Sequence, residues 1–342
     1  MRITTWRAML SADVGSVIRV EHLQKWFVTS KGLRGLLSNT TQRVQAVADV
    51  SFGVQEKEIF GLVGESGCGK TTLGRLILGL IEPTGGKIYF EGQEVTAYSK
   101  EMRRKVQMIF QDPYESLNPR MNVFSLLAEP LRVHGLSRSR DEEIGTVRKN
   151  LETVGLSPPE DFMYRYSHEL SGGQRQRVAI ARALALDPEF LVADEPVSML
   201  DVSIRAGILN LMFHLREKLG LSQIFITHDL SVAKYVCDRI AVMYLGKIVE
   251  VGKSNDVIKN PIHPYTIALI SATPRLSKSR KGFNVEIRGE AAASVVPPKG
   301  CRFYPRCNYA DQVCREKEPV LNEIDGRIVA CHKASSLLER ST

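Results

Sequence analysis

The sequence predicts an α/β fold with a mostly parallel sheet. Short apolar runs typical of buried strands, at residues 59–63 and 190–193, alternate with segments of helical periodicity. After the first run, apolar residues recur at the i, i+3, i+4, i+7 spacing of an amphipathic helix: Leu73, Leu76, Ile77 and Leu80. Strands that alternate with helices favour a parallel sheet with helices on both faces.

Further elements are predicted on both sides of a central helical stretch. Short strands are expected at residues 17–21 and 46–52, with a polar surface loop at 29–45 between them. Another strand is expected at 224–226, after a helix whose apolar residues share one face: Ile204, Ile208, Leu211 and Leu215. Residues 114–166 lack strand-like runs, so we expect them to form a helical subdomain inserted into the sheet domain.

The composition is that of a globular protein. Of the 342 residues, 43% are hydrophobic and 25% charged, which excludes a mainly disordered, collagen-like or coiled-coil chain. The length fits one large domain with an appendage. No run approaches the roughly 18 consecutive apolar residues of a membrane span. The first 15 residues carry Arg2 and Arg7 without an apolar run after them, so no signal peptide is expected.

The charge balance favours an anionic partner. Lysine and arginine outnumber aspartate and glutamate by 46 to 38, a formal net charge of +8. A nucleotide, a nucleic acid and an acidic membrane face would all suit this excess, and the charge by itself does not choose among them.

The chain beyond residue 252 is predicted to be an appended, loop-rich region. Prolines become frequent there, and a basic run occupies 275–281. The region holds four of the six cysteines: Cys301, Cys307, Cys314 and Cys331. Because no export signal is expected, a reducing compartment is expected too, and there clustered cysteines favour a metal or cluster over disulfides.

A phosphate-binding loop is predicted at residues 64–71, which read GESGCGKT and match G-x-x-x-x-G-K-[ST] between a strand and a helix. Glycines let backbone N–H groups turn toward phosphates, and the helix adds its positive end. We expect Lys70 to reach the β- and γ-phosphates and Thr71 to bind Mg²⁺; the alternative is a simple glycine-rich turn. The predicted nucleotide-binding residues are Gly64, Glu65, Ser66, Gly67, Cys68, Gly69, Lys70, Thr71 and Thr72.

An acidic pair follows the second apolar run. Asp194 at the strand end is expected to hold the water shell of Mg²⁺. Glu195 is then placed to deprotonate the attacking water as a general base. The alternative is a pair of acidic residues that only cap a strand.

Residues 170–177, LSGGQRQR, resemble the signature motif of the ABC-transporter ATPases. In that family, the helix start formed by Ser171, Gly172, Gly173 and Gln174 faces the γ-phosphate bound to another subunit, which implies a head-to-tail dimer. The family also implies roles for Gln111 as the Q-loop residue that contacts Mg²⁺, Asp201 as the D-loop residue and His228 as the switch histidine. Met199 replaces the commoner alanine of the D-loop.

The resemblance also implies an adenine-stacking aromatic and a domain plan. Phe27 stands at the aromatic position, although Trp26 beside it allows a core role instead. The implied fold is an ABC-type P-loop ATPase domain at residues 17–253, with a parallel sheet core, an antiparallel β subdomain and an inserted helical subdomain. An N-terminal extension precedes it at 1–16, and a C-terminal region follows at 254–342.

Among ABC proteins, the chain resembles the ATPases of oligopeptide/dipeptide importers. One P-loop and one signature argue against tandem translation factors, and no long coiled coil suggests a DNA-maintenance ATPase. Residues 260–266 (NPIHPYT) and 300–307 (GCRFYPRC) resemble the C-terminal extension of those importers. The resemblance implies a peripheral ATPase on the cytoplasmic face of the membrane. Its implied partners are two permeases, a second ATPase chain and, indirectly, an extracellular binding protein, without nucleic acid. Oligosaccharide or nickel cargo, or a soluble ATPase acting on nucleic acid, are the alternatives.

The spacing C-x₅-C-x₆-C-x₁₆-C differs from the usual paired C-x₂-C zinc pattern and names no metal by itself. Four thiolates suit either a [4Fe–4S] cluster or Zn²⁺. The importer resemblance implies the iron–sulfur cluster. Zinc, with His332 as a possible ligand, and free or redox-responsive thiols are the alternatives.

Overall fold

The structure, a computed structural model, describes residues 15–29, 42–273 and 298–339. Most of the predicted N-terminal extension and of the 29–45 loop, and the whole basic run at 275–281, lie outside the described residues. The chain divides into two compact units. The first unit combines Met1–Val95 with Ile226–Thr342, and the second unit is Thr96–Phe225.

The strands and helices follow in chain order. The strands are β1 (Ser16–Thr29), β2 (Gln42–Gln55), β3 (Ile59–Val63), β4 (Gly85–Phe90), β5 (Gln93–Glu94), β6 (Val106–Ile109), β7 (Phe190–Asp194), β8 (Ser222–Thr227), β9 (Arg239–Tyr244), β10 (Lys247–Lys253), β11 (Asn322–Ile324) and β12 (Arg327–Val329). The helices are α1 (Lys70–Ile77), α2 (Lys100–Lys105), α3 (Pro113–Ser116), α4 (Val123–His134), α5 (Arg140–Thr153), α6 (Glu160–Met163), α7 (Gly172–Leu184), α8 (Val202–Leu219), α9 (Leu230–Val236), α10 (Ser254–Lys259), α11 (Pro264–Ala272), α12 (Gln312–Glu316) and α13 (Ala334–Glu339). Short 3₁₀ helices occur at Ser167–Glu169 and Tyr304–Arg306.

The first unit contains antiparallel and parallel pairing. The strands β2, β1, β4 and β5 lie side by side in that order, and each neighbouring pair is antiparallel. This sheet is the antiparallel part that the resemblance implied. The strands β11, β12, β10, β9 and β3 are also adjacent in order, and β3 runs parallel to β9. All five residues of β3 are buried, and the rings of Phe52 and Phe60 stack at 5.0 Å between centroids.

The second unit pairs β6 with β7 in parallel, and the helices α2 and α7 contact β6. Residues 114–166, the predicted helical stretch, contain α4, α5 and α6. Asn122 caps α4 by accepting a hydrogen bond from the N–H of Ser125, and Gly135 ends it with a φ of 70°. The exposed Arg132 then pairs with the buried Glu143 of α5, which ties the two helices together.

Two boundaries differ from the sequence prediction. The helix α1 ends at Ile77, so Leu80 is not part of its apolar face and is 48% exposed. The reason is Gly79, whose φ of 62° turns the chain away from the helix. The sequence predicts the signature helix over residues 174–186, whereas in the structure it begins at Gly172, because Ser171 caps it. None of the helices within the described residues is both long and apolar enough to cross a bilayer.

Candidate nucleotide site

The loop after β3 has the backbone geometry of a phosphate cradle. Gly64 has a φ of 155° and Gly69 a φ of 107°, conformations that side chains rarely permit. A Cβ on Gly64 would lie 2.2 Å from the carbonyl oxygen of Met243, and one on Gly69 would lie 2.1 Å from that of Ala46. Glycine is therefore required at both ends of the loop by close backbone contacts as well as by φ.

The helix α1 presents its N-terminus directly after this loop. Gly69 is the N-cap, and no side chain among the described residues caps the helix there. The first turn has no acidic residue, while Arg75 lies in the last turn. Amide groups at a helix start without a competing carboxylate attract an anion, so this terminus is suited to a phosphate.

Lys70 is buried at the first position of α1, and its ammonium group folds back over the loop. Its Nζ donates to the carbonyl oxygens of Gly64, at 2.8 Å, and Glu65, at 2.9 Å. The Sγ of Cys68 lies 3.7 Å from the same nitrogen. Burial raises the pKa of the Cys68 thiol, although the charge of Lys70 acts in the opposite direction. Cys68 is therefore a buried thiol whose protonated form is favoured within the loop.

The carboxylate of Glu65 has a partner that sequence reasoning missed. Arg306, 241 residues further along the chain, donates to both of its oxygens. The backbone N–H of Glu65 donates to the hydroxyl of Tyr265 at 2.9 Å. Arg306 and Tyr265 both occur in the C-terminal segments that the sequence analysis singled out, but nothing in the spacing indicated that they reach the P-loop.

In the second unit, the acidic pair occupies the end of β7. Asp194 is 2% exposed, and Glu195 adopts a φ of 44°. Ser198 holds this turn, because its backbone N–H and its hydroxyl both donate to the Glu195 carbonyl, at 3.1 Å and 3.0 Å. The side-chain amide of Gln111 lies 3.4 Å from a Glu195 carboxylate oxygen. The structure thus brings together two predicted site residues that are 84 positions apart.

The signature residues start α7 with a reciprocal cap. The Ser171 hydroxyl accepts from the N–H of Gln174 at 3.3 Å, and the Gln174 side chain accepts from the N–H of Ser171 at 3.0 Å. Gly173 is required by packing, because a Cβ there would lie 2.6 Å from Cγ2 of Ile204. Arg175 was not singled out from the sequence, yet its buried guanidinium donates to the carbonyls of Ser167 and Leu170 and holds the preceding loop.

Three other predicted residues are placed at the surface. Asp201 is exposed at the N-cap of α8, and His228 is exposed directly after β8. Phe27 is 40% exposed, with the ammonium of Lys25 at 5.3 Å from its ring centroid, while Trp26 is half-buried. The ring of Phe27 is therefore not a core aromatic, which was the alternative.

The P-loop, Phe27, His228 and the C-terminal cysteines belong to the first unit, whereas Gln111, the acidic pair, the signature residues and Asp201 belong to the second. Within the first unit, the structure joins the P-loop to the C-terminal region. Within the second, it joins Gln111 to Glu195.

The four C-terminal cysteines lie close enough to influence one another. Burial and, to a smaller extent, neighbouring cysteines raise the pKa of the Cys301 thiol to about 11 and that of the Cys331 thiol to about 12. The N–H of Cys301 donates to the carbonyl of Cys314 at 2.8 Å. In the part of the chain that the structure describes, however, no group of three or more ligating side chains is arranged to hold a metal ion. His332, the possible zinc ligand, instead has its Nε2 at 2.9 Å from the carbonyl oxygen of Lys317.

A buried strand, a loop with glycine at both ends and a helix that begins with a buried lysine define a P-loop nucleotide-binding protein. The family description "ABC transporter" matches residues 47–198, and "Oligopeptide/dipeptide transporter, C-terminal region" matches residues 249–314. The dipeptide transport ATP-binding protein DppF of Haemophilus influenzae is 48% identical over 314 residues, 90% of this chain and 94% of that protein. The oligopeptide transport ATP-binding protein AppF of Bacillus subtilis is 44% identical over 334 residues, 95% and 99% of the two chains.

Solved structures agree with this assignment. The ATP-binding cassette MJ0796, in a dimeric post-hydrolysis state bound to ADP and Pi, aligns with a TM-score of 0.60 and 28% identity, over 69% of this chain and 98% of that one. The structure of cbiO1 from Clostridium perfringens aligns with a TM-score of 0.60 and 25% identity, over 78% and 98%. The chain belongs to the ABC transporter family, among the oligopeptide/dipeptide transport ATP-binding proteins. It is an ATPase, and its nucleotide is ATP.

Proposed function

We propose that the chain is the ATP-hydrolysing subunit that powers import of oligopeptides or dipeptides through separate membrane permeases. The observation that carries this proposal is the match of residues 249–314 to the C-terminal region of oligopeptide/dipeptide transporters, on a chain that also has the ABC match. Relatives with dipeptide and oligopeptide transport in their names align over nearly their full length, which supports the same cargo class here.

The roles within the nucleotide site follow from the chemistry of its residues. Lys70 and the backbone of the P-loop would bind the phosphates, and Thr71 and Asp194 would hold Mg²⁺. Glu195 would act as general base toward the attacking water, with Gln111 beside it. The distance of 3.4 Å between Gln111 and Glu195 supports this pairing. His228 would contact the γ-phosphate, and Phe27 would stack on adenine.

The signature residues and Asp201 would act on nucleotide bound to another ATPase chain. The amide groups at the start of α7 form a second anion-attracting helix terminus, which a γ-phosphate would suit. The dimeric state of the MJ0796 cassette with ADP and Pi supports such an arrangement. The partner ATPase would be a homologous chain, giving a heterodimer, or a second copy of this one.

The permeases would dock on the second unit, which would place the protein on the cytoplasmic face of the membrane. Tyr114 and Tyr164 are 61% and 62% exposed, and Tyr166 is 40% exposed. The guanidinium carbon of Arg175 lies 4.0 Å from the ring centroid of Tyr114 and packs against that ring. Aromatic residues, tyrosine among them, are enriched in protein interfaces, so these exposed side chains are suited to a permease contact. An extracellular binding protein would deliver peptide to the permeases, and no nucleic acid takes part.

The domain plan of the proposal is an N-terminal extension at residues 1–16, an ATPase domain at 17–253 and a C-terminal region at 254–342, with the helical subdomain at 114–166. The C-terminal family match begins at residue 249, close to the proposed boundary. The helices α4 to α6 support the inserted subdomain.

We further propose that the C-terminal region holds a [4Fe–4S] cluster, with Cys301, Cys307, Cys314 and Cys331 as its ligands. Four cysteine thiolates are the usual ligands of such a cluster, and these four residues would supply them. The backbone hydrogen bond from Cys301 to Cys314 brings two of these cysteines together, which supports a shared site. Such a cluster would crosslink the C-terminal loops. We expect anaerobically purified protein to contain iron and acid-labile sulfide, lost in Cys314→Ser and retained in Cys68→Ser. If the parental protein contained neither iron nor acid-labile sulfide, the cluster proposal would be wrong.

The transport proposal is tested by purifying the Glu195→Gln chain from its native cells in mild detergent, followed by peptide uptake in cells that lack the chain. We expect two multi-span permeases and a second ATPase to copurify, and peptide uptake to return with the parental chain but not with Lys70→Ala. Association only with non-membrane or nucleic-acid partners, together with unchanged peptide uptake in the deletion, would end the transport proposal. The ATPase assignment would remain.

A further inference from the structure

The segment between the first two C-terminal cysteines reaches the P-loop through Arg306. Its Nη1 lies 2.9 Å from Oε2 of Glu65, and its Nη2 lies 3.2 Å from Oε1, so the guanidinium and carboxylate meet as a two-pronged pair. The same Nη1 lies 3.4 Å from the hydroxyl of Tyr244. Arg306 is buried, whereas the Glu65 side chain is 24% exposed. Paired, planar contacts of this kind are directional as well as strong.

Arg302, on the other side of the same segment, contacts the chain that supports the P-loop. Its guanidinium donates to the carbonyl of Leu245 and to the side-chain oxygen of Gln45. The residue after Leu245, Gly246, donates its N–H to the carbonyl of Cys68 at 2.8 Å. The residue after Gln45, Ala46, has the carbonyl that contacts Gly69. Arg302 thus contacts two residues, and the residue that follows each of them lies against the backbone of the P-loop.

An aromatic cluster fills the space between these two arginines. The buried ring of Phe303 lies 5.3 Å from the ring of Tyr244 and 5.4 Å from that of Tyr265. The Tyr265 hydroxyl accepts the backbone N–H of Glu65. Both the side chain and the backbone of Glu65 are therefore fixed by residues outside the P-loop.

The ion pair between Arg306 and Glu65 affects how the P-loop binds a negatively charged nucleotide. Glu65 carries a negative charge on the loop that must receive a polyphosphate, so an unpaired carboxylate there would repel the ligand. Arg306 neutralises that charge and also holds the loop backbone. If Arg306 is removed, the carboxylate remains without its counter-charge in a partly buried position, which is the costly case for an ion pair.

We propose that Arg306 is a positioning residue for ATP binding. Together with Arg302 and Phe303, it makes the nucleotide affinity of the P-loop depend on the folded state of the C-terminal cysteine segment. The proposal rests on the ATPase activity of the chain and does not depend on the cargo or on the permeases. A failure of the import proposal would therefore leave it intact.

The test measures the Kd of the full-length chain for Mg–ATP, Mg–ADP and adenosine. For Arg306→Gln we expect the Kd for ATP to rise roughly tenfold, the Kd for ADP to rise less and that for adenosine to stay unchanged, because the repulsion grows with phosphate charge. The KM for ATP should rise with it, whereas kcat changes little. A merely structural loss would weaken all three ligands alike.

Rescue variants separate charge from packing. Glu65→Gln combined with Arg306→Gln should bind ATP more tightly than Arg306→Gln alone, since the repelling carboxylate is gone. The Kd of Arg306→Lys for ATP should lie between those of the parental chain and Arg306→Gln, because lysine keeps the positive charge but cannot donate from two nitrogens as arginine does. The matched control is Glu318→Gln, which breaks the ion pair of the same region with Lys247 and should leave the Kd unchanged.

The proposal is overturned if Arg306→Gln binds ATP like the parental chain, or if adenosine affinity falls as much as ATP affinity. It is also overturned if the double variant is no tighter than the single one. Should Arg306→Gln fail to fold, Arg306→Lys and the double variant give the same comparison against the parental chain.

Discussion

The side-chain nitrogen of Gln111 lies 3.4 Å from a carboxylate oxygen of Glu195, across 84 positions of sequence. Glu195 is held in a left-handed conformation, with a φ of 44°, and Ser198 bonds its carbonyl twice. Non-glycine residues in this conformation are uncommon and occur often at functional sites. The carboxylate of Glu195 is therefore oriented by its own backbone turn as well as by Gln111.

This orientation predicts a specific loss in Glu195→Gln. Without a general base, phosphate release should fall at least about 100-fold, while the Kd for ATP stays near the parental value. Both quantities are measured on the purified chain with its partner ATPase. Glu189→Gln is the matched control, because Glu189 lies at the opposite end of β7 and pairs with Lys105. Parental turnover in Glu195→Gln would show that another group is the base.

Lys70→Ala should weaken nucleotide binding. The buried ammonium supplies the charge of the cradle, and its bonds to the carbonyls of Gly64 and Glu65 show that it lies over the loop. Losing a hydrogen bond to a charged group corresponds to at least about a tenfold higher Kd for ATP. Equilibrium binding of Mg–ATP checks this. Lys87→Ala removes an exposed lysine paired with Glu94 and should bind ATP normally; equal effects of both substitutions would contradict the assignment.

The two signature glycines should differ in their effect on stability. A Cβ on Gly173 would lie 2.6 Å from Cγ2 of Ile204, so Gly173→Ala forces α7 and α8 apart. We expect a loss of about 1–3 kcal/mol in the free energy of unfolding, as for an overpacked core. A Cβ on Gly172 would lie 3.7 Å from Leu200, an ordinary contact, so Gly172→Ala serves as control. Denaturant unfolding of the monomer distinguishes them, and equal stability of the two variants would refute the packing explanation.

Acid should destabilise the C-terminal region through His263. Burial lowers the pKa of His263 to about 3, from an ordinary value of 6.5, and its Nδ1 accepts the N–H of Tyr265 at 3.0 Å. The unfolded chain gains a proton near pH 6.5 and the folded chain only near pH 3. The stabilisation is therefore complete above pH 6.5 and declines as the pH falls toward 3.

Denaturant unfolding at pH 7.5 and pH 5 measures this effect. Acidification across that interval should remove about 2 kcal/mol of stability from the parental chain. His263→Asn should be less stable at pH 7.5 and lose less on acidification, because its side chain does not titrate. An identical pH dependence in the two proteins would assign the acid sensitivity to other groups.

Much of the site could be predicted from local sequence. The P-loop, the acidic pair and the signature each occupy a short run, and the strands and helices beside them follow the periodicity of apolar residues. The end of α1 was predicted wrongly because Leu80 continues the periodicity, whereas Gly79 turns the chain. A helical pattern does not by itself include the turn that ends it.

The sequence by itself determined the class of this protein, because phosphate binding depends on residues that are adjacent in the chain. Only the tertiary structure decided why Gly173 must be glycine, since the side chain that excludes a Cβ comes from α8. It also decided that Arg306 neutralises Glu65, 241 residues away. Contacts of this kind depend on how sheets and loops bring distant segments together, and no local spacing records them.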